Sequence, residues 1–402
     1  YDYFRDEFYY IACSDHLAWG YVDHPPLSIF LLWITRLFLG DSLFAIRLLP
    51  AIASAGLVFL TGTITRELGG NPRSQFIASL AVLIAPIYLV LCDFYSMNAF
   101  EPLFWMGAVL IFIRIVNTEN QKLWLAFGAL AGLGLQNKHG MAFFGIAVVV
   151  GLLAGTHRKQ ILSRWMWYGG ALAALIALPN IIWQAAYGWP TLEFSQNATQ
   201  FKNAPMSPVE FFFMQAIFQN PLTVPIWFIG LGALFVHKDL KAYRLFGIAY
   251  MFLFALFVLQ RGKPYYLSPI YPLLFAAGAI VFEDFVVRRS LGWLRNAYLT
   301  ILILGGITSV LIFLPVLPVE TYLRVSSALS LSDIKTERHG DTQLQQVLAD
   351  RFGWREMTAT VARVYQALPA ADQAKAVIYT QNYGQAGAID FFGPRYGLPK
   401  AI

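Results

Sequence analysis

The sequence predicts an all-α polytopic membrane protein with a small α/β domain at its C-terminal end. Three observations predict this class: a low charge content, a series of long apolar stretches, and a basic bias on one side of them. Of the 402 residues, 57% are hydrophobic and 13% are charged, whereas soluble domains carry about 25% charged residues. This composition excludes a cytosolic enzyme, a disordered chain and a disulfide-rich secreted scaffold, and the two cysteines offer no zinc spacing.

Ten apolar stretches approach the length of about 20 residues that a helix needs to cross a hydrocarbon core of about 30 Å. They cover residues 44–66, 73–92, 99–116, 122–137, 140–155, 165–186, 221–237, 243–260, 266–286 and 296–316. We therefore expect about ten transmembrane helices in a membrane domain over residues 1–316. Glycines four residues apart, at 128 and 132 and at 151 and 155, are expected to let these helices approach closely.

The charges of the loops orient these helices. If 44–66 runs from outside to inside, the inner loops carry 13 basic and five acidic residues, and the outer segments carry seven and ten. Residues 317–402 carry nine and eight. An inner excess of lysine and arginine is what the positive-inside rule predicts. The net charge of +6 is therefore explained by membrane topology, and no nucleic-acid partner is expected.

Two outward parts of the chain have structure of their own. Residues 1–43 are predicted to form two interfacial helices, over Phe4–Trp19 and from Pro25-Pro26 to Phe38, because proline suits a first helical turn. Residues 317–402 are predicted to form the α/β domain, with an amphipathic helix at 354–368, a β-like run at 376–379 and a helix at 384–392. We expect the full protein to have further sequence before Tyr1, including a leading helix, and after Ile402.

Polar side chains cluster at the outer edge of the apolar region, where charge is costly and is a functional candidate by default. Because the topology places them on one face, we expect them to form one site. The twelve candidates are Asp6, Glu7, Asp23, His24, Asn98, Glu101, Lys138, His139, Arg261, Lys263, Tyr265 and Tyr266.

Acids and cations on an outer face suit the transfer of a sugar from a donor that arrives through the bilayer, such as a polyprenyl-phosphate sugar. Cations stabilise the departing phosphate, and one carboxylate acts as base toward the acceptor hydroxyl. Direct attack opposite the phosphate inverts the anomeric centre. Asp6 and Glu7 are the candidates for catalysis, and the donor phosphate is assigned to His24, Lys138, His139, Arg261, Lys263, Tyr265 and Tyr266. Asp23, Asn98 and Glu101 are assigned to the acceptor or to support of the site.

Each assignment has a structural alternative. The pair Asp6-Glu7 also suits a solvated interfacial helix, and Asp23 also suits a helix cap before the prolines. The remaining alternatives are a snorkelling anchor for Lys138-His139, an interfacial aromatic belt around Lys263, and an ion pair of Glu101 with Lys138 or Arg261. A divalent metal ion is the one candidate cofactor, with Asp23 and His24 as candidate ligands, although the histidines lack a metal-binding spacing.

Six motifs stand out along the chain: the acidic pair in residues 3–9, Gly20–Leu27 with its two prolines, Ser96–Leu103, Gln136–Gly140, Trp189–Thr191 and Gly262–Tyr266. Together they resemble GT-C fold glycosyltransferases of the protein-mannosyltransferase-like branch, which includes protein O-mannosyltransferases, the lipid A aminoarabinose transferase and rhizobial galacturonosyltransferases. The resemblance covers nearly the whole chain.

The resemblance implies that Asp6 is the base and that Glu7 supports it or the acceptor. Family members often have an acid followed by lysine before the two prolines; here Asp23 matches the acid and His24 replaces the lysine, which shifts phosphate binding toward Lys138 or Lys263. The resemblance also implies a bacterial inner-membrane protein whose active site and C-terminal domain face the periplasm.

The expected partners are the lipid-linked donor, membrane lipids, and a lipid, glycan or protein acceptor. The alternative function is a transporter or flippase for a lipid-linked sugar, which would use the same cations without a base. Matched broken helices in inverted repeats would favour that alternative, and the sequence shows no such repeat.

Overall fold

The computed structural model describes residues 1–203, 206–329 and 344–402. The described residues are mainly helical. The helices are, in chain order, α1 Arg5–Asp15, α2 Leu27–Leu39, α3 Leu43–Glu67, α4 Pro72–Ile84, α5 Pro86–Cys92, α6 Glu101–Thr118, α7 Leu123–Asn137, α8 Gly140–Ala154, α9 Arg164–Ala186, α10 Pro190–Asn197, α11 Pro208–Phe218, α12 Val224–Val236, α13 Arg244–Leu259, α14 Tyr271–Arg288, α15 Gly292–Phe313, α16 Val319–Ala328, α17 Gln346–Ala349, α18 Trp354–Gln366, α19 Ala370–Gln373 and α20 Tyr383–Phe392.

Six of the described helical segments are long and apolar enough to cross a membrane, and the number rises to eight if each of two bent helix pairs counts as one span. The predicted number of ten is not confirmed. The difference arises at α7 and α8, which have 15 residues each and so reach only about 22 Å at 1.5 Å per residue. The six segments are Leu43–Glu67, Met97–Thr118, Arg164–Ala186, Lys241–Leu259, Pro264–Arg288 and Gly292–Phe313.

Proline explains both bent pairs. The pair α4 and α5 bends by 59° at Ala85, which is extended (ψ 120°) before Pro86 because a residue preceding proline avoids the helical region. The pair formed by α11 and Pro221–Val236 bends by 94°. There Asn220 has a positive φ of 71° and precedes Pro221, so the helical hydrogen bonding is interrupted at both positions.

Close helix packing depends on the predicted small residues. A Cβ added to Gly128 in α7 would lie 2.0 Å from the carbonyl oxygen of Gly169 in α9, and one added to Gly132 would lie 3.0 Å from that of Ala173. A Cβ on Gly151 in α8 would likewise lie 2.4 Å from the carbonyl oxygen of Leu245. The glycines therefore allow backbone-to-backbone contact, as their spacing predicted.

Gly128→Ala is expected to destabilise the protein by about 1–3 kcal/mol, because the new methyl group meets backbone that cannot rotate away. The measurement is the melting temperature in detergent. Gly145→Ala is the matched control, since nothing lies within 4 Å of a Cβ built there and alanine favours a helix. Equal melting temperatures for the two variants would contradict the close approach of α7 and α9.

The outer segment 1–43 contains the two predicted short helices, α1 and α2. The second begins at Leu27, directly after the two prolines, as expected. Its end exposes Leu37, Phe38 and Leu39, which suits a helix that lies against lipid. Helix α1 packs against α20 of the tail (residues 317–402), where the Phe8 and Phe392 rings lie 5.7 Å apart.

The predicted α/β domain at 317–402 is not confirmed. Its described part contains helices α16 to α20, and the only strand-like feature there is a single parallel bridge between Ile378 and Ala401. The predicted helices at 354–368 and 384–392 correspond to α18 and α20. Residues 330–343 of this region lie outside the described residues.

The tail forms ion pairs with the outer segment 1–43. Arg355 pairs with Asp2 at 2.5 Å, and Asp350 pairs with Arg5 at 3.2 Å. The backbone amides of residues 2 and 5 also donate to carbonyl oxygens of residues 351 and 350. These contacts hold the tail against the N-terminal end of α1.

Candidate functional site

One large cavity, of about 1300 Å³, is lined by residues of the helix bundle, of the segment 1–43 and of the tail. One part of its lining is apolar and is formed by Pro86, Ile87, Val90, Leu91, Phe94, Trp105, Phe143, Phe218, Phe257 and Phe313. Its polar lining includes Arg5, Asp6, Tyr9, Asp23, Ser96, Asn98, Glu101, Lys138, His139, Arg261, Lys263, Tyr265, Tyr266 and Tyr383. Ten of the twelve predicted site residues therefore share one cavity, and the exceptions are Glu7 and His24.

Asp6 lies in the first turn of α1, where a carboxylate is favoured by the helix dipole. Its Oδ1 accepts a hydrogen bond of 2.6 Å from the Tyr383 hydroxyl, and Arg5 Nε lies 3.6 Å from the same oxygen. The side chain is 35% exposed and borders the cavity. Asp6 is therefore held in a defined position while it stays accessible to a substrate.

Glu7 points the other way and is fully buried. Arg47 of α3 donates to it from Nε at 2.9 Å and from Nη2 at 2.7 Å. The backbone amides of Tyr95 and Phe4 donate at 3.0 and 2.7 Å. Four hydrogen bonds occupy this carboxylate, so its geometry favours a structural role over the catalytic role expected for it.

Asp23 borders the cavity, and its Oδ1 accepts a hydrogen bond of 2.7 Å from the Tyr9 hydroxyl. His24 is fully buried, stacks on Tyr10 with ring centroids 4.8 Å apart, and has Nδ1 3.1 Å from the Pro25 carbonyl oxygen. That oxygen only accepts, so Nδ1 carries the proton. Burial lowers the pKa of His24, which favours the neutral ring. A neutral, buried ring is a poor ligand for the donor phosphate, contrary to the expected role of His24.

The geometry does not fit a metal site. Asp23 Oδ1 lies 3.8 Å from His24 Nε2, but no group of three or more histidine, cysteine, aspartate or glutamate residues within the described ranges is arranged to hold an ion. Structural zinc takes four protein ligands and catalytic zinc takes three. The two candidate ligands are therefore adjacent without a third.

Lys138 occupies the turn between α7 and α8. Its Nζ lies 2.6 Å from Glu101 Oε2 and 2.9 Å from Asn98 Oδ1, and it faces the rings of Tyr265 and Tyr266 at 5.5 and 5.0 Å. The structural alternative for Glu101, an ion pair with Lys138, is thus confirmed. Because the pair borders the cavity, Lys138 can still offer a third N–H to a ligand.

His139 is held by a different contact from that of its neighbour Lys138. Its Nε2 lies 3.0 Å from Asn180 Oδ1 in α9, and the Asn180 amide donates to the Trp19 carbonyl oxygen at 2.8 Å. His139 therefore links the α7–α8 turn to the outer segment as well as lining the cavity.

The turn from Arg261 to Tyr266 supplies cations on the side of the cavity formed by α13 and α14. Arg261 adopts a positive φ of 52°, and Pro264 opens a 3-10 helix, Pro264–Ile270, so the chain reverses sharply here. Lys263 Nζ lies 5.9 Å from the Tyr265 ring centroid. Arg261, Lys263, Tyr265 and Tyr266 all border the cavity, as the sequence predicted for one site.

Four side chains of the polar lining named above are not among the predicted site residues: Arg5, Tyr9, Ser96 and Tyr383. Arg5 and Tyr9 stand within the acidic motif, and one helical turn of α1 brings them beside Asp6 and Asp23. Tyr383 is 377 positions from its partner Asp6, and no local pattern signals such a contact.

A buried ion pair supports the cavity from the tail. Arg351 is fully buried, and its Nη2 lies 2.6 Å from Asp93 Oδ2. Burial raises the pKa of Asp93 and lowers the pKa of Arg351, which is the cost of removing both charges from water. The pair fixes the tail against the loop that follows α5.

Comparison with known proteins gives three kinds of similarity. A family described as dolichyl-phosphate-mannose-protein mannosyltransferase matches residues 23–183. The lipid A galacturonosyltransferase RgtD of Rhizobium johnstonii is 26% identical over 239 residues, which cover 58% of this chain and 49% of that protein. The undecaprenyl phosphate-alpha-4-amino-4-deoxy-L-arabinose arabinosyl transferase 1 of Pseudomonas fluorescens is 25% identical over 40% of this chain and 30% of its own length. The chain thus spans about half the length of these curated relatives, or less.

A solved structure extends the similarity to the fold. The crystal structure of ArnT from Cupriavidus metallidurans bound to undecaprenyl phosphate aligns with a TM-score of 0.63 at 15% identity, over 98% of this chain and 83% of that chain. The same protein in the apo state aligns with a TM-score of 0.62. At this identity the likeness shows a shared fold, and it includes the tail as well as the membrane helices.

Proposed function

We infer that this chain is an integral membrane glycosyltransferase of the protein-mannosyltransferase-like GT-C family, and that it transfers a sugar from a polyprenyl phosphate to a lipid acceptor on the outer face of the membrane. The observation that carries this proposal is that one cavity is lined by an accessible carboxylate, by the cationic turn 261–266 and by the apolar side chains named above, which form its apolar wall. A soluble sugar donor has no use for the apolar wall, whereas a polyprenyl chain does.

The donor would lie with its prenyl chain along the apolar wall and its phosphate at the cationic turn. Arg261 and Lys263 both border the cavity, and charge-assisted hydrogen bonds from such groups are the strong ones. Lys138 Nζ faces the rings of Tyr265 and Tyr266 in this turn. Its remaining N–H therefore suits a phosphate oxygen. These donors would stabilise the charge that develops as the phosphate leaves.

The proposed reaction has one chemical step. Asp6 takes the proton of the acceptor hydroxyl as the acceptor oxygen bonds to the anomeric carbon. The bond between that carbon and the phosphate oxygen breaks, its electron pair leaves with polyprenyl phosphate, and the anomeric centre is inverted. No general acid is required, because a phosphate ester anion is a good leaving group once cations neutralise it.

A lipid acceptor is favoured over a protein acceptor. The relatives include a lipid A galacturonosyltransferase, and they support a cell-envelope lipid such as lipid A. We propose that the protein lies in a bacterial inner membrane with its basic loops inside, so that the cavity and tail face the periplasm.

The flippase alternative is not favoured. A flippase needs the cations but has no use for a carboxylate fixed at the cavity edge, as Asp6 is by Tyr383 and Arg5. The matched curated relatives are transferases.

The experiment that tests the function uses purified protein in proteoliposomes with radiolabelled polyprenyl-phosphate sugars and a lipid extract of the outer membrane as acceptor. The expected result is acceptor-dependent transfer of label to a lipid product, with release of polyprenyl phosphate. Movement of intact labelled donor between leaflets without cleavage would favour the flippase and overturn the transferase.

Lys263→Ala is expected to raise the donor KM by about tenfold or more, since a hydrogen bond to a charged group contributes about 1.5–3 kcal/mol. The acceptor KM is expected to change little. Steady-state kinetics with each substrate varied in turn measures both values. Lys238→Ala is the matched control, because that lysine is exposed, pairs with Asp239 and is not part of the cavity lining. An unchanged donor KM in Lys263→Ala would remove this residue from the phosphate site.

A further inference from the structure

The tail contributes a hydrogen bond to the proposed base. The Tyr383 hydroxyl donates to Asp6 Oδ1 at 2.6 Å, and Tyr383 is the first residue of α20. Both side chains border the cavity. The contact therefore joins the tail to the residue at which the proposed proton transfer takes place.

The geometry that surrounds Tyr383 is well defined. The Arg5 guanidinium lies 5.3 Å from the centroid of the Tyr383 ring, and the Tyr9 ring lies 5.6 Å away. Tyr9 in turn donates to Asp23 at 2.7 Å. Two tyrosines in ring contact thus each donate to one of the carboxylates at the cavity edge.

The backbone of α20 is held tightly against α1. The Asn382 side chain accepts from the amides of residues 384 and 385 and so caps α20. A Cβ on Gly384 would lie 2.3 Å from Arg5 Cγ, and one on Gly387 would lie 2.7 Å from Phe8 Cβ. Because these glycines allow such close contact, the Tyr383 hydroxyl is fixed relative to Asp6.

We propose that Tyr383 is a positioning residue for the base: its hydroxyl holds Asp6 Oδ1 and leaves Oδ2 to take the proton of the acceptor hydroxyl. The tail is then an integral part of the active site. This inference rests on the proposed function, in which Asp6 is the base. During the reaction the Tyr383 proton stays on its oxygen, and the acceptor proton moves to Asp6 Oδ2.

The chemistry of Tyr383 suits this role. Burial is the largest cause that raises its pKa, and the nearby Asp6 charge raises it further. The hydroxyl therefore stays protonated at neutral pH and remains a hydrogen-bond donor.

Tyr383→Phe is expected to lower kcat by about tenfold, because the transition state loses one hydrogen bond and a tenfold change corresponds to about 1.4 kcal/mol. The donor and acceptor KM values and the melting temperature in detergent are expected to stay at the wild-type values. Tyr379→Phe is the matched control, because Tyr379 is a tail tyrosine with 80% of its surface exposed. A wild-type kcat for Tyr383→Phe would overturn the proposal.

A double-mutant cycle separates positioning from a structural role. Asp6→Glu displaces the carboxylate by one methylene group and so uncouples it from Tyr383. Adding Tyr383→Phe to Asp6→Glu is expected to lower kcat less than twofold further, whereas the same tenfold loss in both backgrounds would show a structural role. If the wild-type protein transferred no sugar at all, the proposed function would fail instead, and the two failures are thus distinguishable.

Discussion

Asp6→Asn is expected to lower the transfer rate by about 10²–10⁴-fold, the contribution usual for a general base. The amide is nearly the same size and can still accept the hydrogen bond from Tyr383, but it cannot take a proton from the acceptor hydroxyl. The melting temperature in detergent is expected to stay at the wild-type value, since the side chain lies at the cavity edge. Initial rates with labelled donor measure the loss.

The matched control for Asp6→Asn is Asp15→Asn, at the other end of α1. Asp15 is 55% exposed and pairs with Arg36, which also pairs with Asp41. Its substitution is expected to leave transfer within about twofold of wild type, because exposed ion pairs contribute only about 0–1 kcal/mol. Turnover near the wild-type rate in Asp6→Asn would remove Asp6 from the role of base.

Arg47→Met is expected to destabilise the protein by about 3–5 kcal/mol, because it leaves the Glu7 carboxylate buried without its cation. Glu7 is fully buried, and both of its oxygens accept from Arg47. The measurement is thermal unfolding in detergent, where a large fall in melting temperature is expected. The residual transfer rate of the folded fraction serves as the second readout.

Arg114→Met is the matched control for Arg47→Met, because Arg114 pairs with Glu67 at 3.2 Å and both side chains are partly exposed. Its effect is expected to be below about 1 kcal/mol. If both arginine variants melted at the same temperature, the structural role assigned to the buried pair of Glu7 and Arg47 would not hold.

The position of the site was predictable from sequence because few charges occur in so apolar a chain. Asp6, Glu101, Lys138 and Lys263 stand out against long apolar stretches, and the topology places their loops at one membrane face. The structure brings all four to the same cavity. The partner of Glu101 was foreseen as an alternative, since a carboxylate at that depth needs a cation.

The full burial of Glu7 was not predictable from the residues around it. Neighbouring helical residues point about 100° apart, so one of the two had to face away from the cavity. Which one does so depends on Arg47, 40 residues along the chain, and on the docking of the tail. The burial of His24 likewise depends on tertiary packing against Tyr10.

The predicted number of ten spans is not confirmed for a reason of length. The apolar stretches 122–137 and 140–155 already end at the Lys138-His139 turn in the sequence, and the structure gives α7 and α8 15 residues each, which is shorter than a full membrane span. The α/β nature of the tail rested on a short β-like run, and the structure pairs only Ile378 of it with Ala401.

The most direct test of the proposed donor site is a cryo-electron microscopy structure of the protein in nanodiscs with undecaprenyl phosphate bound. We predict the prenyl chain along the apolar wall of the cavity and the phosphate within hydrogen-bond distance, about 3 Å, of Lys263 or Lys138. Asp6 should border the space in which the sugar would lie. A phosphate bound elsewhere, with the cationic turn and Asp6 untouched, would contradict the claim that these residues act together on one lipid-linked donor.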